Sequence, residues 1–147
     1  MNEYAEYLCK GKTKEDKWVE GYFILTRNID GTSTPDLIVS DIDSGYYQYS
    51  HVDPNTIVRC SGRVDMNGIK IFNRDIIKSY NFETQTCNIG VVTYHRWTNC
   101  WTVHFKRKGE DSENIDAKLL SQCYTTEVIG NTYDSYNTYA HYIGKNK

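Results

Sequence analysis

Ser61-Gly62-Arg63-Val64-Asp65-Met66-Asn67-Gly68-Ile69-Lys70-Ile71-Phe72-Asn73-Arg74-Asp75-Ile76-Ile77 is the stretch that decides the fold. Asp65-Met66-Asn67-Gly68 has the chemistry of a tight turn. An Asp carboxylate at the first position accepts from backbone two residues on, Asn tolerates positive φ, and Gly adopts it without steric cost. Ile69, Ile71, Ile76 and Ile77 follow, and β-branched side chains suit a pleated, half-buried surface. The stretch reads as a hairpin that hands the chain to a further strand at Asp75. It says much about fold and nothing about a reaction.

Upstream, residues 4–10 suggest a short strand, and Trp18-Val19-Glu20-Gly21-Tyr22-Phe23-Ile24-Leu25 the first strong one. Gly21 inside it marks a bulge or a close backbone approach. Residues 36–42 form a second strand, and residues 46–50 run back. Asp53-Pro54-Asn55-Thr56 is a turn, because Pro54 pre-sets its own φ and pushes Asp53 out of the helical region. Residues 57–60 lead into the central hairpin. Downstream, residues 89–95 and 100–105 form the clearest hairpin in the chain. Alternation sets Val92 and Tyr94 on one face, against Trp101, Val103 and Phe105. Residues 115–124 suggest a helical turn or two, and residues 127–131 the last strand. The expected core is Trp18, Tyr22, Ile71, Phe72, Ile76, Val92, Trp101, Val103, Phe105 and Ile129.

Composition narrows the class. The chain has 147 residues, enough for one domain or two small subdomains without a covalent staple. Thirteen tyrosines and only two prolines favour β structure. A formal charge of −2 argues against a strong phosphate-binding surface, since affinity for nucleic acid is largely charge neutralisation. Cys9, Cys60, Cys87, Cys100 and Cys123 are odd in number, widely spaced and without a Cys-x-x-Cys pair, which predicts free thiols in a reducing compartment. The first 17 residues are polar and do not resemble a signal peptide. No stretch approaches the ~20 apolar residues of a membrane span, so a soluble intracellular protein is expected.

Few constellations could carry chemistry. His95, Cys100 and His104 are the best metal candidates, because a four-residue connection would set His95 opposite Cys100 with His104 further along that face; zinc wants three or four such ligands, and a fourth is not visible. Asp41 and Asp43 sit at strand spacing, so both carboxylates would share a face. Asp65-Met66-Asn67-Gly68 begins like a calcium loop but lacks the distal Glu. There is no Gly-x-Ser-x-Gly, P-loop or dinucleotide fingerprint. No catalytic, cofactor or metal residue is therefore assigned. The candidate interaction surface is aromatic: Tyr46, Tyr47 and Tyr49, near His51 and Arg59, and the tail residues Tyr136, Tyr139 and Tyr142, whose i, i+3 spacing could lay the rings along one helix face. Such rings suit a protein interface, where Tyr is enriched. They could also stack bases beside Lys106-Arg107-Lys108, the one basic run, although Glu110 and Asp111 follow at once.

Trp18-Val19-x-Gly21-Tyr22, Val52-Asp53-Pro54-x-Thr56, Gly62, Asp65-x-Asn67-Gly68-x-Lys70-Ile71-Phe72-x-x-Asp75-Ile76, Ile89-Gly90-Val91-Val92 and Glu127-Val128-Ile129-Gly130-Asn131-x-Tyr133 follow one another in the order of a known pattern. With these blocks the sequence resembles the YopX family of small bacteriophage and prophage proteins. Two positions depart from the family pattern: Arg63, where an apolar residue is usual, and Arg74, where glycine is usual before the central Asp, which argues for an ordinary φ there. The resemblance implies a mainly β protein. Residues 1–60 would be an N-terminal β subdomain and residues 61–133 a small SH3-like barrel-like subdomain with short helical elements near the C-terminus. Residues 134–147 would be a tyrosine-rich tail. It also implies phage origin, work in the host bacterial cytoplasm, self-assembly, and no catalytic residues. The expected function is a non-enzymatic accessory protein, a homo-oligomer that binds a phage or host protein. The alternative is a nucleic-acid-binding β-barrel protein.

Overall fold

The computed structural model describes residues 8–41, 46–106, 115–123 and 125–134, with backbone alone at 26, 34–41, 46–49, 106, 115 and 116. Among these residues eleven strands build two antiparallel sheets, with strand orders β4-β3-β2-β1-β5-β6 and β10-β9-β8-β7-β11. The chain divides into two compact units, Met1–Gly62 and Arg63–Lys147.

The first unit holds β1 (Leu8–Lys12), β2 (Trp18–Arg27), β3 (Ser33–Asp41), β4 (Tyr46–His51) and the start of β5 (Val58–Val64). Cys9 and Val52 form its small buried cluster, with Val19 and Ile57 packed against them. Gly11 is needed here, since a Cβ on it would stand 3.0 Å from Val52 Cβ. The Asp53 turn is held from two sides. Asp53 Oδ1 accepts the Asn55 N–H at 3.0 Å, while buried Thr56 Oγ1 accepts the Lys12 N–H at 2.8 Å and donates to Asp53 O at 2.7 Å. Pro35 pairs with Leu25 of β2, one residue before the β4 pairing begins at Asp36, a place where its missing N–H costs no ladder bond to β4.

One expectation is narrowed in this unit and one fails. Gly21 makes no bulge, pairing in regular register with Cys9. Trp18 and Tyr22 are half-buried rather than core. Trp18 shares its face with lysines: Lys10 Nζ lies 4.9 Å and Lys12 Nζ 5.5 Å from its ring, and Lys12 Nζ also pairs with Asp16 Oδ1 at 2.7 Å, so the indole packs against cations and not in an apolar core.

The second unit holds β6 (Lys70–Phe72), β7 (Asp75–Asn81), β8 (Thr86–His95), β9 (Cys100–Lys106), β10 (Ile115–Leu119) and β11 (Thr126–Asn131). Ile71, Ile77, Val92, Val103, Phe105 and Leu120 form its core, flanked by Trp101, Cys123 and Val128. The β8–β9 register places Val92 opposite Val103 and Gly90 opposite Phe105, the faces that alternation predicts. A Cβ at Gly90 would lie 2.8 Å from His104 O and from Phe105 Cδ1, so only glycine lets these strands close. Ile129 is exposed, not buried. The β11 register shifts between Val128 and Gly130, and the bulge turns Ile129 outward while Val128 meets the core. Residues 115–119, where helical turns are expected, are strand. Five-residue pairing with β9 overrides the weak local preference, leaving a 3-10 turn at Leu120–Gln122 as the helical element among the described residues of this half. Among the described residues β10 and β11 do not pair with each other and are the two ends of an open sheet.

Arg74 adopts φ 72° despite its side chain. Its N–H donates to Val92 O at 2.8 Å, and its carbonyl accepts the Thr132 N–H at 3.0 Å, so the turn is pinned on both sides. The left-handed region costs a non-glycine residue about 1–2 kcal/mol. Arg74→Gly removes that strain but adds unfolded-state entropy of about 0.4–1 kcal/mol. A net gain of roughly 0.5–1 kcal/mol in urea unfolding is expected. An unchanged or lowered midpoint would show that the Arg side chain contributes more than the strain removes.

Candidate interaction surface

The central hairpin is built around Asp65. Its backbone closes the turn: Asp65 N–H donates to Ile69 O at 2.8 Å, Gly68 N–H donates to Asp65 O at 3.0 Å, and Gly68 takes φ 78°. Its carboxylate does more than a turn requires. It accepts Asn67 N–H at 2.8 Å, Ile69 N–H at 2.9 Å and, from β11, Val128 N–H at 2.9 Å. Asp65 is only 5% exposed. Burial pushes its pKa up, but the Val128, Ile69 and Asn67 N–H groups outweigh that and hold it below the ordinary carboxylate range. Met66 N–H adds a bond to Thr126 O at 2.9 Å. The hairpin is thus fixed to β11 by its own backbone and one carboxylate.

That stiff turn presents apolar side chains to solvent. Val64 is 50% exposed, Met66 62% and Ile69 53%, all within six residues of chain. The β8–β9 tip behaves similarly. Trp97 is 95% exposed there. Around it Tyr94 Oη donates to Asn99 Oδ1, His95 Nδ1 pairs with Thr98 Oγ1 at 2.9 Å, and the Tyr94 and Trp101 rings lie 5.2 Å apart. The sequence pattern singles out none of Val64, Met66, Ile69 and Trp97 as a surface residue. An exposed Trp within a bonded turn is visible only once the partner strands are placed.

The residues singled out from sequence fare differently. Tyr46, Tyr47 and Tyr49 lie in β4, in register with Asp41, Ser40 and Ile38 of β3. Tyr136, Tyr139 and Tyr142 lie outside the described residues, as do Asp43, Arg107 and Lys108; Lys106 ends β9. His95 does pair with Cys100, but His104 pairs with Val91, four residues further along β8. Cys100 Sγ donates to Thr98 O at 3.2 Å, and His104 Nε2 pairs with Thr102 Oγ1 at 3.3 Å. Among the described residues no three His, Cys, Asp or Glu side chains gather to hold a metal ion. No helix among them is long and apolar enough to cross a membrane.

The family model described as YopX protein matches residues 11–137. The chain belongs to the YopX family. A solved relative in fold is the crystal structure of protein yopX from Bacillus subtilis, with 17% identity and a TM-score of 0.52, covering 88% of this chain and 94% of that one. No curated protein sequence matches. Two of the YopX blocks quoted from the sequence lie within β2 and β8, and the others include the turns at Asp53, Asp65, Arg74 and Asn131. Asp65 carries the central hairpin. Asp75 Oδ2 accepts Phe72 N–H at 2.8 Å across the Arg74 turn. Asn131 Oδ1 accepts Tyr133 N–H at 3.0 Å and Asp134 N–H at 2.9 Å after β11. These polar positions are accounted for by backbone hydrogen bonding, which is a folding role.

Proposed function

We propose that this YopX-family chain is a non-enzymatic phage or prophage accessory protein that works in the host bacterial cytoplasm, self-assembles and binds a protein partner. The second unit belongs in this reading to the SH3-like barrel class, supported by its five-stranded antiparallel order and its bulged last strand. One observation carries the proposal: Val64, Met66 and Ile69 stand in solvent on a turn that Asp65 holds rigid. Clustered exposed apolar side chains mark association sites more often than idle surface. A pre-ordered turn also loses little entropy on docking.

The test is solution mass by light scattering at micromolar protein. A discrete species larger than the 17.1 kDa monomer is expected, because homo-oligomers close by symmetry. Monomer alone would contradict self-assembly. The competing reading, a nucleic-acid-binding β-barrel protein, rests on the basic run at 106–108 and the tyrosines of β4. It requires single-stranded DNA binding in about 50 mM salt that weakens steeply as salt rises. Fluorescence anisotropy with no binding at low salt would remove it.

A further inference from the structure

We infer that β4 is the self-association edge and that its occupant is β4 of a second copy, paired antiparallel about a two-fold axis. The inference rests on the self-assembly proposed above and places it at β4, which leaves the exposed Asp65 turn for the protein partner. The ends of the two sheets differ. An edge strand offers unpaired N–H and C=O groups to any passing strand, and native edges are blunted by shortness, charge, proline or bulges. Three of the four ends carry such a device. Strand β6 has three residues, includes Lys70, and has its Phe72 N–H taken by Asp75. Strand β10 carries Asp116 and Lys118 in five residues. Strand β11 is bulged at Val128/Gly130, its Val128 N–H is taken by Asp65, and its Thr126 carbonyl by Met66.

Among the described residues β4 carries no charged side chain, proline or bulge and is not cut short. Its six residues, Tyr46-Tyr47-Gln48-Tyr49-Ser50-His51, contain no Lys, Arg, Asp, Glu, Pro or Gly. They pair in unbroken register with β3 from Tyr46 to His51, and among the described residues β4 ends its sheet. The sequence is also compatible with itself. An axis through Gln48 sets Tyr46 opposite Ser50, Tyr47 opposite Tyr49 and Gln48 opposite its own copy, so that facing residues share a side of the sheet. No like charges then face each other, and aromatic residues supply cross-strand pairs. A two-fold interface must be self-complementary in this way.

The test is sedimentation of the full chain and of Tyr47→Lys/Tyr49→Lys, with Asn88→Lys, at an exposed position of β8, as the charge control. Circular dichroism verifies folding. The double variant should raise the dissociation constant at least tenfold, and the control should leave it unchanged. A folded double variant that associates like the wild type overturns the edge assignment while leaving self-assembly standing. A wild type that is monomeric throughout overturns both. Hydrogen exchange on the wild type decides the matter if the variant fails to fold. Alternate amides of residues 46–50 should be protected above the association midpoint and lose that protection on dilution. Protection independent of concentration, as from another segment of the same chain lying on β4, would overturn the proposal.

Discussion

Asp65→Ala should lower the stability of this protein by about 3–5 kcal/mol, because it strands the Val128, Ile69 and Asn67 N–H groups at once. Each hydrogen bond to a charged acceptor contributes about 1.5–3 kcal/mol, and donors near the surface recover part of this from water. The effect should depend on acid. The folded carboxyl titrates below its unfolded counterpart, so its stabilisation is present above the unfolded pKa of about 3.9 and is lost as pH falls through the lower folded value. Urea midpoints of wild type and Asp65→Ala should therefore lie far apart at neutral pH and converge as the pH drops through the acid range below about 4. A constant separation down to the acid limit would mean that the variant acts through lost turn geometry and not through the ionised carboxylate.

Phe105→Ala should cost about 3–5 kcal/mol, the usual range for an aromatic side chain removed from a core. Phe105 packs over Gly90 and belongs to the buried cluster with Val92 and Val103. The loss is a large share of the ~5–15 kcal/mol that hold a domain together. Calorimetry should show a lower thermal midpoint with an intact far-ultraviolet spectrum at low temperature. An unchanged midpoint would mean that the β8–β9 face is not the centre of the second unit.

What could be read in advance followed the range of the interactions. The Asp65 turn was legible because its chemistry is local: Asp, Asn and Gly within four residues. The β8–β9 hairpin was legible because Val92, Tyr94, Trp101, Val103 and Phe105 keep strand period. The second use of Asp65 was not, since Val128 lies 63 residues away and no local pattern announces it. The same holds for Thr56, which receives an N–H from Lys12 across 44 residues. Strand β10 was misread because Ile-Asp-Ala-Lys-Leu has little β preference of its own and is recruited by β9. Ile129 was misplaced by a bulge, where one extra residue reverses the faces that alternation assigns. Arg74 was misjudged because two backbone hydrogen bonds impose a conformation its side chain disfavours.

The candidate surface was legible only in part. Tyr46, Tyr47 and Tyr49 stand out by tyrosine enrichment, and among the described residues they lie on β4, an end strand of its sheet. Exposure at Met66 and Trp97 is a property of the assembled turns. Neither residue type distinguishes an outward hairpin tip from a core position, and it is the Asp65 and Asn99 hydrogen bonds that set the turns bearing them.

Self-association is the claim on which the functional account stands. Sedimentation velocity of the unmodified chain, from low to high micromolar concentration, tests it most directly. The account predicts a boundary that moves from the 17.1 kDa monomer to one discrete larger species as concentration rises. A single 17.1 kDa boundary across the whole range would contradict it.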